Sequence, residues 1–261
     1  MAIHPSSIVA TGAVIPESCT VGPFCTVGPN VVLGERCELI SHVILDGHLT
    51  MGDDNRVFPF TSLGCSPQDL KYRGEPTKVT IGSGNVIRES VTISRGTVGG
   101  GGETTIGDNC LIMAYVHIGH DSHIGNGCIL PNGATLAGHV TVEDYAVISA
   151  NAPIHQFCTV GAYAYIGGGT TVTQDVLPYS LTSNRRENRA FGINKVGLER
   201  RGFTPEEIKQ LRAAYRLLQV SKLNTTQAVE AIQAKVAAGE FGEKVAYLAN
   251  FIAKSERGVI K

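Results

Sequence analysis

From Ile106 to Val172 every sixth residue is apolar: Ile106, Ile112, Ile118, Ile124, Leu130, Leu136, Val142, Ile148, Ile154, Val160, Ile166 and Val172. A second register runs through Ile3, Val9, Ile15, Val21, Val27, Leu33, Leu39, Leu45, Met51, Val57 and Leu63, and resumes at Ile81, Ile87 and Ile93. A period of six matches neither a helix nor a plain strand. It predicts one short strand and one corner per repeat, three repeats to a triangular coil, and coils stacked as parallel sheets. Four residues after the apolar position the side chain is mostly small, as at Ala13, Val31, Val43, Val116, Ala134, Val140, Ala146, Ala152 and Ala164. Alternation turns both positions inward, so the expected core is a set of stacked ladders. Glycine follows the apolar residue at 22, 28, 34, 52, 82, 107, 119, 125, 161 and 167, a placement that suits tight turning.

The repeat predicts a mainly β domain over residues 1–180 with two interruptions, 64–79 and 94–105. Both are expected as excursions from corners, and long loops on a repeat scaffold often carry function. The run Gly99-Gly100-Gly101-Gly102 lacks the G-K-[ST] ending and the following helix of a phosphate loop, and is expected to be flexible. Residues 181–203 connect to an α-helical C-terminal domain, 204–261. There Thr204-Pro205-Glu206-Glu207 offers an N-cap, a first-turn proline and a capping-box acid. Ile208, Leu211, Tyr215 and Leu218 share one helical face; Val229, Ile232 and Val236 suggest a second helix, and Val245, Leu248 and Ile252 a third.

Composition narrows the classes. No apolar run approaches the length of a membrane span, and the N-terminus has no basic segment followed by an apolar stretch, so a cytoplasmic protein is expected. Of seven cysteines, Cys19, Cys25, Cys37, Cys110, Cys128 and Cys158 fall on the small inward position and read as core residues. Cys65 is the exception, and no close C-x-x-C pair suggests zinc. The net charge of −1 hides an asymmetry: residues 1–184 hold 7 Lys or Arg against 15 Asp or Glu, and residues 185–261 hold 15 against 8. Such a basic tail can meet an acidic protein, a phosphorylated ligand or nucleic acid, or can be a solvated helical surface.

If a coil takes eighteen residues, positions eighteen apart stack at about 4.8 Å. His120, Gly138 and Gln156 then form one column, Asp121, His139 and Phe157 its neighbour, and Gly119, Ala137 and His155 flank them. Five of the eight histidines lie between His117 and His155. His120 and His139 fall on corner positions expected to be exposed on the outside. A histidine beside an aspartate can be a general base oriented by the carboxylate, and Gly138 can offer a bare N–H to an oxyanion. The same groups could instead bind zinc with an open position for water, as a hydratase of the carbonic anhydrase type would. A non-catalytic scaffold binding ligands along its corner is a further alternative.

Specific motifs narrow the choice. Gln68-Asp69-Leu70-Lys71-Tyr72 with Gly74-Glu75-Pro76, Ile87-Arg88-Glu89-Ser90-Val91-Thr92-Ile93, Arg95-Gly96-Thr97, His117-Ile118-Gly119-His120-Asp121, Leu136-Ala137-Gly138-His139-Val140, His155-Gln156-Phe157, Phe191-Gly192-Ile193-Asn194 and Arg200-Arg201-Gly202-Phe203 occur in this order. Over essentially its whole length the chain resembles the UDP-N-acetylglucosamine acyltransferases of lipid A biosynthesis. The resemblance implies a left-handed parallel β-helix, an exception to the right-handed crossover rule, in a homotrimer with sites between subunits. It implies transfer of an (R)-3-hydroxyacyl group from acyl carrier protein to the glucosamine 3-hydroxyl of UDP-N-acetylglucosamine. No metal or other cofactor is implied; phosphopantetheine enters with the carrier protein, and nucleic acid is not a partner. His120 would be the base, Asp121 its support and Gly138 the oxyanion donor. Gln68, Asp69, Lys71, His117 and His139 would contact sugar, phosphate or acyl groups, and His155, Gln156 and Asn194 would hold the nucleotide sugar. Arg200 and Arg201, with Arg185 and Arg186, would meet phosphates or the carrier surface. Gly168 falls where the family sets acyl-chain length and, having no side chain, would not close a channel early.

Two residues after Asn194 stands Val196, where resembling enzymes can place an acidic nucleotide contact. The motifs also leave room for a variant that acylates a 3-amino sugar and for a coenzyme-A-dependent acetyltransferase. The later N-acyltransferase of the pathway carries an extra N-terminal domain, whereas the repeat here begins at Ile3.

Overall fold

The computed structural model describes residues 2–184 and 188–261, without the side chains of 184, 188, 189 and 191. The repeats build a three-sided parallel β-helix. Among the described residues its faces A, B and C hold eleven, eight and nine strands. Partners lie eighteen residues apart over most of the prism, as Glu38 with Arg56 and Leu111 with Ile129. At the two excursions the step lengthens: Arg56 pairs with Val86, and Val86 with Leu111. The strands run further into these interruptions than the pattern predicted, as Ser62–Cys65, Lys78–Ile81, Thr92–Ser94 and Glu103–Ile106. The excursions proper are therefore 66–77 and 95–102.

From Val21 onward every residue of the two six-residue ladders is buried, whereas Ile3, Val9 and Ile15 are partly covered at the first coil. Burying one such branched side chain contributes about 1.5–3 kcal/mol. The six cysteines expected inside are buried, and the Cys19 and Cys37 thiols each lie 3.1 Å from a carbonyl oxygen, those of Gly34 and Gly52. Glycine after the apolar residue serves a different purpose from the one expected. A Cβ on Gly22 would lie 1.8 Å from the Ile40 carbonyl oxygen, and one on Gly119 would lie 2.6 Å from the Ala137 carbonyl carbon. These glycines let stacked backbones approach. The turn itself falls two residues later, on Phe24 (φ 58), Arg36 (φ 57) and Asp121 (φ 57).

Residues 181–203, expected as a connection, extend the sheet. Ser180–Asn184 continues face A in parallel with Tyr165–Ile166, and Asn188–Ile193 pairs back onto it antiparallel. Helix α1 (Lys195–Arg200) follows. Three helices then form, α2 (Pro205–Gln219), α3 (Thr225–Ala237) and α4 (Glu243–Lys254). The Thr204 hydroxyl and the Glu207 carboxylate close the predicted capping box. Leu211, Leu218, Ile232 and Leu248 pack with Leu177 and Tyr179 from the prism. The C-terminus returns to the β-helix: Val259–Ile260 pairs with Asp175–Val176, and Ile260 joins the prism core.

Candidate active site

His117–Ile118 lies on face B and His123–Ile124 on face C, so residues 119–122 turn the corner between them. His120 Nδ1 stands 2.7 Å from Asp121 Oδ2. Because the carboxylate accepts, the neutral imidazole carries its proton on Nδ1 and leaves Nε2 as a base. Directly above, a Cβ at residue 138 would lie 2.7 Å from His120 Cε1 and 2.8 Å from Nε2. Glycine at 138 leaves room for the ring. Its N–H makes no hydrogen bond among the described residues.

His120 and His139, expected to be exposed on the outside, are half-buried, and Asp121 between them is only 2% accessible. The second excursion covers it. The Thr97 N–H donates to Asp121 Oδ1 at 2.8 Å and the Thr97 hydroxyl to Oδ2 at 2.6 Å. The Asp121 N–H in turn donates to the Thr104 hydroxyl. Gly100 lies so close that a Cβ there would overlap the carboxyl group. The glycine run thus closes over the aspartate: residues 98–100 form a 3-10 turn. Covering a carboxylate without these donors would cost several kcal/mol.

His139 follows on the next coil. Its ring meets His120 edge-on at 5.1 Å and stacks on Phe157 at 4.5 Å, and its Nε2 is 3.9 Å from Asp121 Oδ2. Burial holds the His139 imidazole below the ordinary histidine value, a shift that Asp121 opposes. His117 lies at 2.8 Å from the Thr92 hydroxyl, and burial, with the neighbouring His120, holds it below the ordinary value too. A cleft of about 500 Å³ opens between the two excursions, lined by Asp69, Lys71, Tyr72, Val98, His139 and Phe157. Gln68, His155 and Gln156 are exposed, the last two on the same corner, two coils above His120.

Asn194, Arg200 and Arg201 lie elsewhere on the chain. With Tyr145, Tyr165 and Leu181 they line a cleft of about 570 Å³ against face A. The Asn194 side chain is engaged locally: it caps α1 by accepting from the Gly197 N–H and donates to the Tyr163 carbonyl. Arg201 lies over the Tyr145 ring at 4.5 Å. Val196 is exposed on α1 in the same cleft. Gly168 is exposed at the corner between faces A and B, away from the His120 corner. Arg185 and Arg186 lie outside the described residues.

His120, Asp121 and His139 could offer ligand atoms within 4.8 Å of one another. Both oxygens of Asp121 already accept from Thr97 or lie on His120. A donor set whose carboxylate is spent in this way suits an oriented base better than an open zinc site. Thr97 and Phe157 were in view in the sequence without a role. The period of eighteen does not reach into an excursion, so it could not show that Thr97 meets Asp121.

Comparison with known proteins agrees on one family. A family model described as UDP N-acetylglucosamine O-acyltransferase, domain 2, matches residues 175–260, and one for the bacterial transferase hexapeptide (six repeats) matches 103–138. The chain is 45% identical over 260 residues to the acyl-[acyl-carrier-protein]–UDP-N-acetylglucosamine O-acyltransferase of Burkholderia lata, with 99% of each covered. It is 44% identical over 259 residues to the protein of that name from Myxococcus xanthus, again with 99% of each covered. The solved UDP-N-acetylglucosamine acyltransferase of Francisella novicida superposes with a TM-score of 0.94 at 42% identity, covering 99% of this chain and 93% of that one. That of Bacteroides fragilis gives 0.95 at 40%, covering 99% and 100%. The fold is the left-handed parallel β-helix that the motifs implied, with helices at the C-terminus.

Proposed function

The chain belongs to the UDP-N-acetylglucosamine O-acyltransferase family, and from that premise we propose how its residues share the reaction. The chain transfers an (R)-3-hydroxyacyl group from acyl carrier protein to the glucosamine 3-hydroxyl of UDP-N-acetylglucosamine, the first step of lipid A biosynthesis. The sugar hydroxyl is too weak an acid to attack a thioester unaided at neutral pH. His120 Nε2 takes its proton as the oxygen bonds to the carbonyl carbon, and the Nδ1 proton is held by Asp121. The tetrahedral oxyanion accepts the N–H of Gly138. Collapse breaks the carbon–sulfur bond, and the imidazolium returns its proton to the departing thiolate. No metal takes part in this scheme.

The observation that carries the reading is the 2.7 Å contact between His120 and a buried, fully hydrogen-bonded Asp121. Asp69, Lys71, His117 and His139 contact the acceptor and acyl groups around the cleft, with Gln68 beside them. His155 and Gln156 hold the nucleotide sugar further along the corner. The other residues assigned to substrate, Asn194, Arg200, Arg201 and Gly168, lie against face A or at its corner with face B. A homotrimer reconciles the two groups: a neighbouring copy brings the second set to the first. Arg200 and Arg201 then meet the acidic carrier protein or its phosphate, and the exposed backbone of Gly168 leaves the acyl channel open. A cytoplasmic location goes with seven free thiols.

The test is acyl transfer from a panel of 3-hydroxyacyl carrier proteins to UDP-N-acetylglucosamine, with wild type and His120→Ala, in the presence of a chelator. Transfer that survives chelation and disappears with His120 is expected. Loss of transfer on chelation would overturn the metal-free scheme, and coenzyme A thioesters serving equally well would remove the carrier protein from it.

A further inference from the structure

The first excursion carries Asp69 and Lys71, and its own hydrogen bonds are mostly local. The Lys71 N–H donates to Asp69 Oδ1, the Tyr72 N–H to the Asp69 carbonyl, and the Tyr72 hydroxyl to the Glu75 carbonyl. Such bonds shape a loop without fixing where it sits. Among the described residues, the hydrogen bonds that join residues 66–77 to the rest of the molecule come from one side chain. Arg95 Nε donates to the Tyr72 hydroxyl at 2.8 Å and Arg95 Nη2 to Ser66 Oγ at 3.1 Å. The other arm of the guanidinium is anchored in the prism: Nη1 donates to the Gly64 carbonyl at 2.8 Å and lies 3.3 Å from Asp46 Oδ2. Its carbon stands 5.5 Å from the centre of the Tyr72 ring.

The surroundings are built to admit this group. The Arg95 side chain is only 14% exposed. A Cβ on Gly47 would lie 2.5 Å from Arg95 Nη1, and Gly47 adopts φ 64. Two residues on, Thr97 holds Asp121. Between them, a Cβ on Gly96 would lie 2.2 Å from the Glu103 nitrogen, so glycine there lets the two arms of the second excursion approach closely. One short segment therefore ties the loop at one end and the aspartate at the other.

We infer that Arg95 is a positioning residue: it holds the substrate-contacting excursion, with Asp69 and Lys71, over the His120 corner. A guanidinium suits the task because its planar fork reaches four partners in fixed directions, which an ammonium cannot match. The role rests on the reading that this excursion contacts the acceptor, and it touches no reacting atom itself.

The test compares wild type, Arg95→Ala, Arg95→Lys and Tyr72→Phe by two readouts. Limited trypsin digestion, with fragments identified by mass, reports cleavage after the exposed Lys71 and Arg73. Kinetics report KM for UDP-N-acetylglucosamine and kcat separately. In Arg95→Ala, cleavage at those two sites accelerates about tenfold as the loop opens locally, and the acceptor KM rises about tenfold with kcat within about threefold. Arg95→Lys falls between, and Tyr72→Phe shifts both readouts in the same direction by less. If Arg95→Ala does not fold, Tyr72→Phe carries the test. Unchanged cleavage would overturn the tether. Faster cleavage with an unchanged KM would overturn the positioning role. Lys71→Ala separates this from the underlying reading: an unaltered acceptor KM there would mean that the excursion does not contact substrate, whatever Arg95 holds.

Discussion

Between faces A and B, Phe24, His42 and Phe60 stack on successive coils with ring centroids 4.9 and 5.1 Å apart. Between faces B and C, His120, His139 and Phe157 sit ring to ring at 5.1 and 4.5 Å. His42 and His139 even share the left-handed corner backbone, with φ 52 and φ 61. The coil is common to both corners and the chemistry is not. At the first corner Phe24 and Phe60 are 59% and 65% exposed, and water reaches the ladder. At the second, an excursion closes over Asp121, withdraws it from solvent and supplies its hydrogen bonds. A stacked corner repeats side chains at fixed spacing; turning one of them into a base takes a covered carboxylate beside it. In a covered site, electrostatic interactions are stronger than in water.

The sharpest test of that contrast is His120→Ala. Acyl transfer should fall by about 10²- to 10⁴-fold, the usual contribution of a positioned base, with the fold kept because the side chain lies outside the ladder core and stability lowered by about 1–3 kcal/mol as Asp121 loses one partner. Residual activity near that of wild type would leave the second corner no different from the first. Next comes Gly138→Ala. The added methyl would lie 2.7 Å from the His120 ring, so the imidazole must move, and a misplacement of this kind costs about 10²-fold. Turnover measured against thermal stability distinguishes a displaced base from a damaged coil.

Thr97→Val asks whether the covering excursion matters. The isosteric methyl removes the hydroxyl donor from Asp121 and keeps the backbone one. About tenfold slower transfer is expected, and a stability loss of about 1–3 kcal/mol for a buried acceptor left short of a partner. Denaturant unfolding and turnover check the two. This contact also marks the limit of what could be read from the chain. Period-eighteen arithmetic brought His120, Gly138, Asp121, His139 and Phe157 together, because stacking depends only on register. The same arithmetic, applied to Gly168, leads to the A/B corner through Ala150 and Asn132. Excursions leave the period, so Thr97 and Arg95 had no address in it. The glycines were legible as a pattern but not as a cause, since close approach and turning call for the same residue.

The depressed histidines give a pH signature to the covered corner. His117 and His139 titrate below the ordinary 6.5 in the folded chain, chiefly through burial. As the pH falls below about 6.5, the unfolded chain binds protons that these two native side chains do not, so unfolding becomes more favourable. Their contribution to stability is therefore full above that value and is lost as the pH drops through the folded values. Thermal melts should show the transition moving down between about pH 7 and pH 5, and His117→Gln should flatten that slope. A slope unchanged by the substitution would mean that His117 is solvated, like a residue of the open ladder.

The smallest effect is expected at the other corner, and it has the power to break the comparison. Phe60→Ala removes a ring that is 65% exposed and touches His42 on one side. Little apolar area returns to water, so stability should change by no more than about 1 kcal/mol, and acyl transfer should stay within about twofold of wild type because His120 has its own corner. Chemical denaturation and steady-state turnover at dilute enzyme would measure both. A large loss of activity from this substitution would mean that the A/B ladder is not an idle consequence of stacking. The neighbouring copy's A/B edge, which brings Gly168 to the His120 corner, would then act on the site as far along as Phe60.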